Sequence, residues 1–378
     1  MSPPIPFMDL KAQYARLKPE IDAAIARVLA HGQFILGPEV KELEAKIAAY
    51  TGAAHCVGVA NGTDALTIAL MAEGVGAGDA VFVPAFTFTA TAEAVLVLGA
   101  TPVFCDVDAR TCNLDPVDLA RRADAVAAKG RLRPRAVIAV DLFGLPADYD
   151  GIGAVAARHG LFVLSDAAQS FGARAGNRRA GAMAAVASTS FFPAKPLGGY
   201  GDGGALMTDD PARAELYRSL RAHGTGGTKY DIVRVGFNSR LDTLQAAILL
   251  AKLPALDGEI AARERLARRY DAALAGAVET PPRPAGAVSA WAQYTIQSPA
   301  RDRIAQHMKA KGIPTAIYYP KPMHLQPAYA MHGGGEGSLP VSEALSRRVL
   351  SLPFHADMDD ATADRVAAEV RAACAQTR

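Results

Sequence analysis

The chain has 378 residues, 50% of them hydrophobic and 21% charged, which is the composition of a folded globular protein and excludes a largely disordered one. That length exceeds what one small core organises, so two domains are expected. Lys and Arg number 40 against 38 Asp and Glu, and a net charge of +2 gives no field for gripping a phosphate backbone, so nucleic acid is not an expected partner. The 34 glycines and 24 prolines gather in a few short segments, which points to built loops.

The first residues, Met1 to Asp9, carry neither a basic region nor an apolar one. No window approaches the ~18 uninterrupted apolar residues of a membrane span, so a cytoplasmic protein without a membrane partner is expected. Cys56, Cys105, Cys112 and Cys374 show no CxxC spacing, and no two histidines stand as HxxxH or HExxH. Neither a disulfide framework nor a catalytic metal is expected.

In chain order, Leu10–Ala30 reads as an amphipathic helix with Leu17, Ile21, Ile25, Val28 and Leu29 on one face, ended by Gly32. A second helix opens at Pro38, where proline suits the first turn. From His55 short apolar runs alternate with helical stretches. The strands are 56–60, 80–84, 102–106, 136–141 and 161–166, and the helices 63–71, 90–98, 116–128 and 149–158. Such alternation, with strands apolar on both faces, predicts a buried and largely parallel sheet wrapped by helices. Strand-like runs at 185–192 and 204–208 extend the same sheet. A long helical tract over 241–275 then leads to the Pro281-Pro-Arg-Pro284 joint. Beyond it, a strand at 293–297, a helix at 302–311, a strand at 313–318, a glycine-rich surface loop around Gly333–Gly337 and two more helices fit a small α+β domain. The expected division is 1–255 and 256–378.

Four segments could carry chemistry. In Ser188-Thr-Ser-Phe-Phe-Pro-Ala-Lys195-Pro-Leu-Gly-Gly-Tyr-Gly-Asp-Gly-Gly204 one lysine is preceded by hydroxyl residues and followed by Pro196 and five glycines. Partial desolvation there lowers a lysine's pKa toward nucleophilic competence, as a Schiff-base lysine needs; the alternative is a structural turn with a solvated lysine. The same run satisfies G-x-G-x-x-G at Gly199–Gly204, but it follows Lys195-Pro196 and leads into a strand, the wrong context for a dinucleotide fingerprint and a nicotinamide oxidoreductase. In Leu164-Ser-Asp166-Ala-Ala-Gln169 an apolar strand ends in an aspartate. A ligand bound at strand carboxyl ends would meet Asp166, which could hold a pyridinium nitrogen protonated; helix capping is the alternative. In Asn61-Gly62-Thr63-Asp64 a glycine, a hydroxyl and a helix start suit a phosphate, although capping explains Thr63 and Asp64 equally. In Pro84-Ala-Phe-Thr-Phe88, Phe86 or Phe88 could stack on a planar ring or simply pack. All four segments fall at strand ends of one sheet.

Taken together, these residues resemble the DegT/DnrJ/EryC1/StrS family, pyridoxal-phosphate enzymes of fold type I that aminate keto-sugars attached to nucleotides. The likeness runs from Phe7-Met-Asp-Leu-Lys11 and Phe34-Ile-Leu-Gly-Pro-Glu39 to Leu350-Ser-Leu-Pro-Phe-His355. It implies an α/β fold with a mainly parallel seven-stranded sheet in the large domain and a small α+β C-terminal domain. It further implies Lys195 as the residue bonded to pyridoxal 5'-phosphate, Asp166 on the pyridine nitrogen and Gln169 beside the ring or its phenolic oxygen. Phe88 would stack on the ring, and Gly62, Thr63 and Ser190 would hold the phosphate. Asn238, in Gly236-Phe-Asn-Ser-Arg240-Leu-Asp242, would reach the phosphate of a neighbouring subunit, which implies a homodimer with shared sites.

Some relatives have histidine in place of the lysine and are dehydratases, so Lys195 favours an aminotransferase. The implied reaction is ping-pong, with L-glutamate as donor and pyridoxamine phosphate between the two halves. Freed Lys195 would move the proton as general base and acid. The strings around Arg234–Ile248 and Ser190–Gly198 are most similar to the branch acting on the 3-keto form of UDP-N-acetylglucosaminuronic acid. That reaction belongs to surface polysaccharide (O-antigen type) biosynthesis. Arg240 could bind the uronate carboxylate or serve in a cap or inter-subunit ion pair. Tyr318-Tyr319 stand where that branch has a His-Tyr pair and are expected at the sugar. A 3- or 4-keto dTDP-sugar remains an alternative substrate, and a non-catalytic cofactor-binding regulator an alternative class.

Overall fold

The computed structural model describes residues 5–228 and 230–375. Its centre is a seven-stranded sheet made of β1 (His55–Val59), β2 (Asp79–Pro84), β3 (Thr101–Cys105), β4 (Arg133–Val140), β5 (Phe162–Asp166), β6 (Val186–Ser190) and β7 (Gly204–Thr208). The spatial order is β1-β7-β6-β5-β4-β2-β3. Six strands run in one direction and β7 alone runs against its neighbours. The strands are apolar on both faces because both faces are covered. Phe82, Val137 and Ala139 point into one core cluster, while Val81, Val83 and Ile138 point into the other, as the two-residue strand period requires.

At the edge of the sheet β1 leaves Gly58 without a strand partner on its outer side, and two side chains cap it. Glu44 Oε1 accepts the Gly58 N–H at 2.8 Å, and Arg221 donates to the Gly58 carbonyl at 2.7 Å. Glu44 and Arg221 are themselves paired at 2.5 Å and both are buried. This closes an edge that would otherwise present open backbone groups, and it fixes the strand that leads into Asn61-Gly62-Thr63.

Several expected elements differ in the structure. The tract 241–275 is two helices, Thr243–Lys252 and Leu256–Leu274, separated by a tight turn at Leu253–Ala255. Pro254 breaks the continuous helix because it lacks an N–H. The expected strand at 313–318 is not formed; only Ala316 bridges to Ser351. Pro314 cannot donate to a ladder, and the strand Val349–Leu352, not anticipated from the sequence, pairs instead with Tyr294–Gln297. A helix at Pro211–Leu220 also escaped the sequence reading, although Asp210 caps it at 2.8 Å and Pro211 opens it. Gly333 is no surface-loop residue: it ends the short helix Ala330–Gly333 and is buried, and a Cβ on it would stand 2.0 Å from the His324 carbonyl oxygen.

A third core cluster gathers Leu266, Tyr270, Leu274, Trp291, Tyr294, Ile296, Leu350 and Val366. The helix Leu256–Leu274 serves two cores, since Leu256 and Ile260 belong to the first cluster and Leu266 onward to the third. Among the described residues no helix is long and apolar enough to cross a membrane.

Replacing Glu44 by alanine leaves the buried Arg221 guanidinium without its carboxylate, so a loss of about 3–5 kcal/mol in unfolding free energy is expected in urea denaturation. A change below ~1 kcal/mol would show that the edge cap is not structural.

Candidate active site

The carboxyl ends of β1, β2, β4, β5 and β6 lie on one side of the sheet, and because β7 is reversed its starting end joins them. There they enclose a cavity of about 480 Å³. Gly62, Thr63, Phe88, Asp166, Gln169, Ser190, Lys195, Tyr318 and Tyr319 all line it. Asn238 and Arg240 do not. They line a separate depression of about 510 Å³ that shares Asn61 and Asp202 with the cavity.

Asp166, the last residue of β5, is buried, and one carboxylate oxygen accepts the Ala168 N–H at 3.1 Å. Burial raises its pKa from the ordinary value, opposed by that N–H and by the charge of Lys195. The loop after β6 brings Lys195 to the same cavity. Burial lowers the pKa of its amine, opposed by Asp166. The two groups thus face one space in which burial disfavours the charged form of each. A further cation beside Asp166 would favour its ionised form, and a protonated pyridine nitrogen is such a cation.

The opposite end of the cavity is built for an anion. Asn61 caps the helix Gly62–Ala72, its side chain accepting the Asp64 N–H at 2.8 Å, and the first intrahelical bond runs from the Ala65 N–H to the Asn61 carbonyl. The N–H groups of Gly62 and Thr63 precede both bonds and, among the described residues, have no acceptor, at the positive end of the helix. A Cβ on Gly62 would stand 2.7 Å from the Ser190 Cβ, so glycine is what lets the helix start approach Ser190. The Ser190 oxygen accepts the Phe192 N–H at 3.2 Å, leaving its own hydrogen to donate. Two amides and a hydroxyl at a helix N-terminus fit a phosphate, so both ends of a pyridoxal phosphate have suitable partners.

Of the two candidate aromatics, Phe86 is buried edge-on against Tyr319, whereas Phe88 is 56% exposed and lies at the cavity with its centroid 6.4 Å from Tyr319. Gln169 is buried and spans the floor. Its oxygen accepts the Phe143 N–H at 2.7 Å, so it is the amide nitrogen, 3.5 Å from the Tyr319 hydroxyl, that is left to meet a ligand. Burial raises the pKa of the Tyr319 phenol. The Arg240 guanidinium donates to the Asn238 oxygen at 2.5 Å, and among the described residues no carboxylate pairs with it.

The cavity also holds Thr87, Phe192, Asp202 and Gln293, which the sequence reading did not select. Asp202 lies inside the quoted glycine run and could have been found there. Gln293 comes from a segment distant in sequence and carries no local signal. The literal G-x-G-x-x-G ends in β7 and opens no helix.

A mainly parallel sheet with a desolvated lysine, a buried carboxylate and an anion cradle around one cavity defines the class of pyridoxal-phosphate enzymes. The model of the DegT/DnrJ/EryC1/StrS aminotransferase family matches residues 15–371, and the chain belongs to this family as a pyridoxal-phosphate-dependent aminotransferase. It is 48% identical to the UDP-2-acetamido-2-deoxy-3-oxo-D-glucuronate aminotransferase of Pseudomonas aeruginosa, over 95% of this chain and 97% of the relative. It is 44% identical to the dTDP-3-amino-3,4,6-trideoxy-alpha-D-glucose transaminase of Streptomyces venezuelae, over 98% and 96%. A DegT DnrJ EryC1 StrS aminotransferase structure from Brucella abortus superposes with a TM-score of 0.96 at 52% identity, covering 97% of this chain and 99% of that one.

Gly62→Ala is expected to push the helix start away from Ser190 and weaken pyridoxal phosphate binding at least ~10-fold in a fluorescence titration, about 1.4 kcal/mol. Adding Ser190→Gly should recover part of the steric loss. Unchanged affinity in Gly62→Ala would refute the close-approach argument.

Proposed function

We propose that the enzyme transfers an amino group from L-glutamate to a nucleotide-linked keto-sugar, the 3-keto form of UDP-N-acetylglucosaminuronic acid. We place this reaction in the cytoplasm, in the supply of an amino sugar to a surface polysaccharide of the O-antigen type. The observation that carries the reaction is the Lys195 and Asp166 pair facing one cavity opposite an open helix N-terminus. The substrate reading is supported by the 48% identity to an enzyme named for that keto-uronate and by a guanidinium at Arg240 without a carboxylate partner among the described residues. A dTDP-linked keto-sugar is the second reading, favoured by the 44% identity to a dTDP-sugar transaminase.

Pyridoxal phosphate, when bound, supplies a carbonyl that takes up the amino group and a ring that accepts electrons. Gly62, Thr63 and Ser190 would hold its phosphate, and Phe88 would cover a ring face. Asp166 would keep the ring nitrogen protonated through an ionic hydrogen bond. Gln169, its oxygen held by the Phe143 N–H and its amide nitrogen 3.5 Å from the Tyr319 hydroxyl, would donate its remaining amide hydrogen to the phenolic oxygen. Lys195, with its amine shifted toward the neutral form, is the nucleophile that anchors the group. Its Nζ, when not bonded to the cofactor, would move a proton between the substrate carbon and the cofactor's C4′. Tyr318 and Tyr319 border the space left for the sugar.

Asn238 and Arg240 lie outside the cavity, on the neighbouring depression. Our reading gives them to a homodimer in which Asn238 reaches the phosphate of the other subunit and Arg240 meets the uronate carboxylate. It also divides the chain into a cofactor-binding domain, 1–255, and a smaller one, 256–378.

Lys195→Ala is expected to abolish the yellow absorbance of the lysine-bound cofactor and to lower turnover by at least ~10³-fold, whereas Asp166→Asn should retain cofactor but lose ~10²-fold or more in kcat. A wild-type protein that stays colourless when supplied with pyridoxal phosphate would sink the proposal. Incubation with glutamate and a panel of 3-keto and 4-keto UDP- and dTDP-sugars, read by product mass, tests the substrate. Arg240→Lys should raise KM for the uronate more than for neutral sugars, because a lysine cannot grip a carboxylate bidentately. Amination of non-uronate sugars alone would overturn the substrate assignment and the role of Arg240 together.

A further inference from the structure

The run from Phe191 to Gly204, which carries Lys195, lies along one face of the helix Thr243–Lys252, and its glycines record how closely. A Cβ on Gly198 would stand 2.3 Å from the Pro193 carbonyl oxygen, so this glycine lies flat on the backbone immediately before Lys195. A Cβ on Gly199 would stand 2.7 Å from the Gln245 Oε1, and one on Gly201 2.9 Å from the Gln245 Nε2. The run's own bonds, Lys195 N–H to Phe192 O at 2.9 Å and Gly199 N–H to Phe191 O at 2.8 Å, close a small turn around the lysine.

The helix holds this turn at two polar points. Near its start, the Gln245 oxygen accepts the Tyr200 N–H at 2.7 Å. At its end, Lys252, only 3% exposed, donates its ammonium to the Gly198 carbonyl and sits 5.0 Å from the Tyr200 ring centroid. Seven residues separate the two, about two helical turns and roughly 10.5 Å along one face. Neither side chain lines the cavity that contains Lys195.

Burial lowers the Lys252 pKa to about 8; Glu259 on the following helix favours the charge, while Arg263 and Arg16 oppose it. Glu259 is shared, accepting from Arg16 at 2.7 Å and from Gln13 at 2.9 Å, and Arg16 also pairs with Asp357. Tyr200, edge-on to Tyr14, completes the surroundings. A buried ammonium given to one backbone carbonyl is a costly arrangement for mere packing.

We infer that Gln245 and Lys252 are positioning residues for Lys195, clamping the glycine-rich turn from one helix face so that the aim of the amine depends on a charge-assisted contact outside the cavity. The inference rests on the role given to Lys195 above. Because Lys252 changes charge near pH 8, the clamp is ionic below that pH and a neutral amine contact above it.

Hydrogen exchange of the full-length purified protein tests the clamp without reference to turnover. In Lys252→Met the amides of 192–204 are expected to exchange about tenfold faster, with those of β4 and β5 unchanged, and Lys252→Arg should restore protection. In the wild type, protection of the same amides, corrected for intrinsic base catalysis, should fall between about pH 6.5 and about pH 9, and in Lys252→Met it should not. The pH at which the absorbance of the lysine-bound cofactor changes should shift in Lys252→Met and return in Lys252→Arg. Unaltered exchange in a folded Lys252→Met, or faster exchange spread evenly over the sheet, overturns the inference. Should Lys252→Met not fold, Gln245→Ala must loosen the turn alone by a similar factor, and its failure to do so is equally fatal. A changed exchange pattern in a protein that binds no cofactor would instead leave the clamp standing and remove the proposed function.

Discussion

Parallel strands end on the same side of their sheet, and the active site follows from that constraint. Each of β1, β2, β4, β5 and β6 delivers its next few residues to one edge, and the reversed β7 contributes its beginning there as well. Residues separated by more than 250 positions, from Asn61 to Tyr319, become neighbours without any long connection crossing the site. The proposed chemistry needs a carboxylate for a ring nitrogen, an amine and an anion cradle. Asp166 ends a strand held by ladders on both sides, the anion cradle follows the edge strand whose Gly58 is held by Glu44 and Arg221, and Lys195 lies in the loop after β6.

Within the cavity the electrostatics are arranged around what is to be bound. Asp166 and Lys195 each pay for burial, the carboxylate by an upward shift and the amine by a downward one. For the amine this is useful, since a nucleophile must be neutral to form a bond. For the carboxylate, a protonated ring nitrogen on the proposed cofactor would be a compensating cation. Behind Asp166 lies a second buried acid, Asp141, with a pKa raised to about 7 by burial and three donors holding it: the Ser170 hydroxyl at 2.5 Å, the Tyr149 hydroxyl and the Ala147 N–H, both at 2.8 Å. It braces the turn that presents Phe143 to Gln169.

The glycines have different reasons. Gly62 permits the approach of Ser190, Gly198 and Gly199 let the lysine turn lie against backbone and Gln245, and Gly333, which does not line the cavity, packs against His324. The last of these looks like a flexible loop in the sequence because it stands beside Gly334 and Gly335. Packing distinguishes it from them, since a Cβ has no room at Gly333 and meets nothing within 4 Å at Gly335.

Local patterns were enough for the α/β architecture, for most strand and helix positions, and for the four segments that meet in the cavity, because hydrophobic period, capping residues and glycine placement act over a few residues. The resemblance supplied the cofactor and the roles proposed for the individual residues. Pro254 and Pro314 stand in plain view, yet the apolar residues around them also match a continuous helix and a strand, so the sequence pattern alone does not show the break and the missing strand. Other features have no local signature. Gln293 reaches the cavity, Gln245 and Lys252 touch the lysine turn, and Val349–Leu352 finds Tyr294–Gln297 only through contacts between segments far apart in the chain. The order of the strands, the orientation of the Gln169 amide and the separation of Arg240 from the main cavity belong to the same group. Sequence carries what a residue can do and the shape its neighbours allow; which distant residue it meets depends on burial and hydrogen-bond satisfaction over the whole folded chain.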